Sequence, residues 1–439
     1  MIRRIAAVVL VSWGATALAQ QSPPVKSGEI TYKQLELFAR VLSYVENNYV
    51  EHVDEQELIY GAIKGMLDTL DPHTAFMPPD QFKEMKIDTQ GEFGGLGIEI
   101  ARKADSIIVV APIDDTPASR AGIKAGDQIL KIDDEATRGM ELARAIQKLR
   151  GPAGKKVILT IMRDGFSAGR DFVLIRDRVR IASVEGKLFG NYGYVKVKNF
   201  QERTDAALYK ELERLRAQNG SKELKGVVLD LRNNPGGLLD QAVAISDRFL
   251  PGGLPIVSTR GREGSHATEE KSKERDTEKA YPMVVLVNAG SASASEIVAG
   301  ALQDHHRAVI LGTPTFGKGS VQTVIEMEDG SGLKLTIARY YTPNGRSIQE
   351  KGISPDYVVG ESEGAAVTRP DILREKDLKR HFKGEGSGPD AEADKLKPNL
   401  PAALKGFDAT QKLADYQLKV ALEYLNAVGG GARNTAKAP

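Results

Sequence analysis

The chain has 439 residues, enough for two to four domains, and its 41% hydrophobic and 27% charged content is the balance of a soluble globular protein. A net charge of +1 gives no electrostatic reason to expect nucleic acid or an anionic membrane as a partner. The absence of cysteine excludes disulfides, thiol nucleophiles, thiolate metal sites and a lipid-modified cysteine.

The chain opens MIRRIAAVVLVSWGATALAQ. Arg3 and Arg4 precede an apolar run, residues 5–13, and the small-x-small triplet Ala17-Leu18-Ala19 follows. This reads as a secretory signal peptide, residues 1–19, cut after Ala19. The apolar run is too short to span a bilayer. The expected destination is the periplasm, as a soluble protein, in a Gram-negative source. Residues 20–28 are a short polar linker. In the N-terminal helical region, 20–90, Leu35, Phe38, Val41, Leu42, Val45 and Tyr49 share one helical face. A second helix is predicted over 56–70, starting after Asp54 and stopping at Asp71-Pro72. Two short amphipathic helices bury little alone, so they are expected to pack on the rest of the chain or on another subunit, and a homo-oligomer is expected.

Residues 91–177 form the next block. Gly94-Gly95-Leu96-Gly97 reads as a glycine-rich loop feeding a strand. Strands are predicted over 106–111, 128–132 and 156–163, with a short helix and turn in Thr116-Pro117-Ala118-Ser119-Arg120-Ala121-Gly122 and a helix over 141–149. The loop and the run PASRAGIKAGDQILKI together resemble a PDZ domain. The resemblance implies a peptide groove that adds a strand at a sheet edge, with backbone N–H groups of Gly94, Gly95, Leu96 and Gly97 taking a terminal carboxylate.

Residues 178–360 change to alternating strands and helices, an α/β core. Strands are predicted over 193–197, 226–231, 283–287 and 308–312, and helices over 204–217, 238–249 and 295–304. The apolar strand Gly226-Val227-Val228-Leu229-Asp230-Leu231 suits a sheet covered on both faces. The charge run 266–275 reads as a solvated loop. Residues 361–439 are predicted as a flexible charged segment, to 397, and a final helix over 409–425, docked on the core or on another subunit.

No metal or cofactor is indicated. The six histidines form no strong ligand spacing, and there is no Walker lysine motif or Rossmann fingerprint. Three serines follow the strand 283–287: Ser291, Ser293 and Ser295. Local pattern alone does not choose among them. His305 and His306 lie at the far end of the following helix, roughly 15 Å of rise away, out of reach as a base. His73 is not excluded, though Asp71-Pro72-His73-Thr74 reads better as a helix-terminating turn. Lys318 sits between two glycines on a loop after an apolar strand, and a desolvated lysine serves as a general base. Adjacent parallel strands would bring the Ser293 and Lys318 loops together at their carboxyl ends, with Pro235-Gly236-Gly237 as a source of oxyanion-holding N–H groups.

The motifs DLRNNPGGL, NAGSASASEI, TFGKGSVQ and RYYTPNGRSIQ occur in that order after the PDZ-like block. Over residues 32–358 the chain resembles the carboxyl-terminal processing (tail-specific) proteases. The resemblance implies a crotonase-like (ClpP/crotonase-type) core with an inserted PDZ domain and flanking helical segments. It makes Ser293 the nucleophile, Lys318 the general base and Gln322 the group that orients the lysine. It places the oxyanion donors at Ala294 N–H and a glycine of the turn, Gly236 favoured over Gly237. The implied function is a periplasmic serine endopeptidase that degrades or processes exported and cell-envelope proteins, its PDZ domain binding carboxyl-terminal or apolar tails. Protein or peptide substrates are the implied partners, with a helical-repeat adaptor lipoprotein in some bacterial members. The rival readings are a non-catalytic peptide-binding scaffold, opposed by Ser293, Lys318 and Gln322, and acyl-CoA chemistry, opposed by the secretion signal and PDZ block.

Overall fold

The computed structural model describes residues 27–273, 277–363, 373–384 and 413–430. The expected signal peptide and most of the flexible segment lie outside these. The chain forms two compact units, Met1–Ile63 and Lys64–Pro439. In the first, the helix Ser27–Asn48 leaves Leu35, Phe38 and Val41 exposed, as is Tyr49 just past its end. The helix Glu55–Leu67 starts where expected, with the Asp54 carboxylate accepting the Glu57 N–H at 3.0 Å. Among the described residues, no helix is long and apolar enough to cross a membrane.

In the second unit, the Asp71 carboxylate accepts N–H bonds from His73 and Thr74 and the Thr74 hydroxyl, fixing the turn after that helix. A helix, Pro79–Gln90, follows that the sequence reading did not assign. Proline at its first turn and the left-handed Gly91 at its end are the ordinary start and stop signals.

The PDZ sheet contains Ile98–Lys103, Ser106–Pro112, Gln128–Ile132, Lys156–Met162 and Arg170–Ile175, all antiparallel in that order apart from a short strand at its side. Alternate residues Val157, Leu159 and Ile161 enter its core beside Ile107, Val109 and Ile129. Gly94 and Gly95 are in a strand, Glu92–Gly95, rather than a loop. That strand pairs with Asp177–Arg180, so the chain enters and leaves the domain side by side.

The largest parallel sheet runs Val184–Phe189, Tyr192–Val197, Gly226–Asp230, Met283–Val287, Val309–Gly312 and Tyr357–Val358, parallel after its first pair. Its apolar strands serve two cores. Val227, Leu229, Val285 and Val287 face the helices Thr204–Gln218, Leu239–Phe249 and Ala294–Asp304. Val228, Val284 and Leu286 face Leu418, Ala421, Leu422 and Leu425. The helix Tyr416–Gly430 is therefore the second cover, and the docking left open by the sequence is on the chain's own core.

A second, antiparallel sheet lies outside the predicted elements. It holds Ala75–Met77, Gly332–Tyr341, Pro255–Gly261, Thr268–Lys271 and Ser320–Glu326. The expected loop 266–275 contains its edge strand, Thr268–Lys271. All four of those residues are exposed, so the run is solvated yet paired.

Candidate active site

Two neighbouring parallel strands set the site. Val287 and Gly312 are paired partners at their carboxyl ends, so the loops that follow start side by side. One leads to the serines, and the three are not equivalent. Ser291 and Ser295 are fully buried, and their hydroxyls donate to Leu231 O at 2.8 Å and Asn234 O at 2.9 Å. They staple this turn to the Pro235-Gly236-Gly237 turn. Ser293 is only half-buried, at the N-terminus of the helix Ala294–Asp304, with a positive φ of 54°. A non-glycine residue in that region marks a backbone held there by its surroundings.

Glu296 is one of those surroundings, and the sequence reading passed over it. It is fully buried. One carboxylate oxygen accepts the Ser293 N–H at 2.7 Å and the Lys318 N–H at 2.9 Å. The other accepts the Gly317 N–H at 2.7 Å and the Thr315 hydroxyl at 2.6 Å. One side chain thus joins the serine turn to the lysine loop. Burial pushes its carboxyl up to about 7 against those hydrogen bonds. Four donors and no acceptor fit the ionised form. The pattern Ser-x-x-Glu ahead of a helix was the available signal.

The lysine loop is laid directly on the serine turn, Phe316 N–H donating to Ser291 O at 3.0 Å. Burial, with the Lys334 charge adding to it, pushes the Lys318 ammonium down to about 8; Glu375, Glu296 and Asp71 oppose the shift. No hydrogen bond joins Lys318 Nζ to Ser293 Oγ or to Gln322 among the described residues. Gln322 instead donates to Ser320 Oγ at 2.7 Å, beside a cluster of Thr336, Thr74 and Asp71.

The Pro-Gly-Gly turn abuts the serine. At Gly236, with φ 102°, a Cβ would stand 2.9 Å from Ser293 Cβ and 3.0 Å from Ala294 N, so only glycine fits. Its N–H, expected as an oxyanion donor, is given to Asn234 Oδ1 at 2.9 Å. The N–H groups of Ala294 and of the exposed Gly237 have no partner among the described residues. Asn233 and Asn288 bond each other reciprocally at 2.9 Å, a second tie between the two turns.

The other predicted residues lie apart. Leu96 is buried in the PDZ core, and Gly97, at φ 74°, packs on Thr116. A cavity of about 1670 Å³ opens between Pro79–Gln90, Glu92–Gly95 and Leu142–Leu149, and neither Ser293 nor Lys318 lines it. His305 binds Pro255 O, whereas His73 reaches Glu375 near the lysine loop. No metal-holding group of His, Asp and Glu occurs among the described residues.

The sequence profile of Peptidase family S41 matches residues 191–359, that of the PDZ domain residues 108–163, and one described as the activating protease CtpB N-terminal domain residues 12–81. The carboxy-terminal-processing protease of Bartonella bacilliformis is 45% identical over 389 residues, 88% of this chain and 89% of that one. The chain belongs to the carboxy-terminal processing proteases. A further relative in this family, CtpA of Bacillus subtilis, is 35% identical over 352 residues, 80% of this chain and 73% of that one. Among solved structures, a photosystem II D1 C-terminal processing protease is 30% identical, with 81% of this chain and 99% of that one covered and a TM-score of 0.43. As a carboxy-terminal processing protease, the protein is a serine-type peptidase with an S41 core and a PDZ domain.

Proposed function

We propose that the protein is a periplasmic endopeptidase acting on exported and cell-envelope proteins through a Ser293–Lys318 dyad. The observation that carries this reading is the Glu296 bridge, which holds Ser293 N–H and Lys318 N–H on one carboxylate oxygen. Two further observations support it. Ser291 and Ser295 are spent on backbone carbonyls, and Lys318 has the lowered basicity that a neutral amine base needs.

In this mechanism neutral Lys318 Nζ takes the Ser293 Oγ proton as Oγ attacks the peptide carbonyl carbon. The carbonyl electron pair moves to oxygen, held by Ala294 N–H and the Pro235-Gly236-Gly237 turn. Gly236 can contribute only when Asn234 releases it; Gly237 offers its N–H directly. Collapse breaks the C–N bond, the Lys318 ammonium protonates the leaving amine, and water hydrolyses the acyl-enzyme with the same base. Gln322 orients Lys318 once its amide turns from Ser320 Oγ. The segment Gly94-Gly95-Leu96-Gly97, at the end of the strand Glu92–Gly95, captures carboxyl-terminal or apolar tails, and the PDZ domain gates the site. A homo-oligomer is supported by the exposed apolar face of Ser27–Asn48. A helical-repeat lipoprotein is the adaptor to seek by pull-down from the envelope.

The test is cleavage of an unstructured protein by the parent, Ser293→Ala and Lys318→Ala. Both variants should fold and lose cleavage by at least about a thousandfold. Retained cleavage in either folded variant overturns the dyad.

A further inference from the structure

Beyond Tyr357–Val358, the last strand of the parallel sheet, residues 373–384 lie against the lysine loop. Glu375, 0% exposed, is its anchor. The Glu375 N–H donates to Phe316 O at 3.1 Å. One carboxylate oxygen accepts Gln349 Nε2 at 2.9 Å, and the other lies 2.7 Å from His73 Nε2. Gln349 is also fully buried, and its Oε1 accepts the Gly319 N–H at 3.0 Å. Its amide also donates to Phe382 O at 3.1 Å, a second hold on the returning segment. The neighbouring Glu350 donates its N–H to Gly317 O at 2.9 Å, and its carboxylate is held by Gly384 N–H and His381. The backbone is thus gripped at Phe316, Gly317 and Gly319, on both sides of Lys318. Gly317 and Gly319 permit this because a Cβ on either would strike the 349–350 backbone.

We propose that Glu375 is a positioning residue for the reaction: with His73 and Gln349 it fixes the loop around Lys318 and places a negative charge beside that base. The inference rests on Lys318 being the base. Buried carboxylates are retained only when hydrogen-bonded or paired, and here the bonds lead to the base loop rather than into the core. Charge and geometry are separable. The groups bearing on Lys318 are Lys334, which lowers its basicity, and Glu375, Glu296 and Asp71, which raise it. His73 contacts Glu375 directly, and His381 faces it from the same returning segment. Removing the Glu375 charge while keeping its shape should make Lys318 less basic.

The experiment compares the full chain with Glu375→Gln, Glu375→Ala, Gln349→Ala and Lys318→Ala. It measures kcat and KM on an unstructured protein across pH, with thermal unfolding of each variant. Glu375→Ala and Gln349→Ala should lower kcat on the order of tenfold to a hundredfold, with KM little changed and the protein folded at the assay temperature. Glu375→Gln should keep most of kcat and move the rising limb of the pH profile to lower pH. An Ala variant with parental kcat overturns the proposal, as does a Gln variant with an unmoved pH profile. So does a loss that merely follows the unfolded fraction. Activity retained in Lys318→Ala would instead overturn the dyad itself, a distinct result.

Discussion

Lys318 and Gly236 carry the sharpest expectations at the scale of single residues. A base must be neutral to accept a proton, and burial brings Lys318 to about 8. Below that pH the ammonium dominates. kcat/KM is therefore expected to rise about tenfold per pH unit and level off above about pH 8. A pH–rate profile flat between pH 6 and 9 would exclude Lys318 as the titrating base. Gly236 faces a different constraint. Its φ of 102° and the 2.8 Å approach of a Cβ to Ala292 O leave no room for a side chain. Gly236→Ala should push the turn off Ser293 and cost about a hundredfold or more in kcat, the scale of a lost oxyanion donor. Circular dichroism should stay parental; full activity would contradict the close approach. Ser293 and Lys318 were legible in the sequence through their motifs. Glu296 was legible only as a helix-capping pattern, because nothing local reveals that its carboxylate crosses to a loop 22 residues on.

Elements distant in sequence meet at the turns that carry the proposed dyad. Arg232, just past the strand Gly226–Asp230, is bonded to Asp230 at 2.6 Å and to Asp415 at 2.6 Å, and also reaches Gln417. Gln417 in turn donates to Val359 O at 2.7 Å. The helix Tyr416–Gly430 is thereby fastened beside the Pro235-Gly236-Gly237 turn as well as over the sheet. Leu418, Val420, Leu422 and Leu425 are buried in it, and each contributes roughly 1.5–3 kcal/mol. Their sum is comparable with the whole net stability of a domain, about 5–15 kcal/mol. A chain ending at residue 412 should aggregate or expose apolar surface on expression. A stable, active truncated protein, judged by dye binding and assay, would refute a structural role for the helix. The sequence showed this helix by its periodicity. Its docking face depended on which side of the sheet lacked a cover, and that is a property of the assembled sheet.

For the whole molecule, the expectation is that a second copy of the chain covers Ser27–Asn48. Tyr32, Leu35, Phe38, Val41 and Tyr44 are all exposed, a row that water does not favour. If a second copy covers it, the double variant Phe38→Lys, Val41→Lys should lower the mass found by light scattering to that of one chain. A parent that is already one chain in dilute solution would remove this expectation. The protease core and the PDZ domain have separate apolar cores, so each closes its own interior. Deleting residues 91–177 should leave the core folded. The rate that remains then reports whether the domain activates or restrains cleavage.

The sequence by itself determined the order of domains, the apolar strands and the motif positions of Ser293, Lys318 and Gln322. These depend on short-range pattern and on residue chemistry at fixed spacing. It did not reveal the antiparallel sheet of Gly332–Tyr341 and its partners, whose strands carry mixed burial or, at Thr268–Lys271, none, and whose pair Ala75–Met77 with Gly332–Tyr341 joins residues more than 250 positions apart. Only the tertiary structure decided which serines are spent on carbonyls, which N–H groups of the Pro235-Gly236-Gly237 turn lack a partner among the described residues, and that Glu296 and Glu375 hold the two sides of the lysine loop. Buried carboxylates and amides find partners by proximity in space, and spacing along the chain carries no record of it.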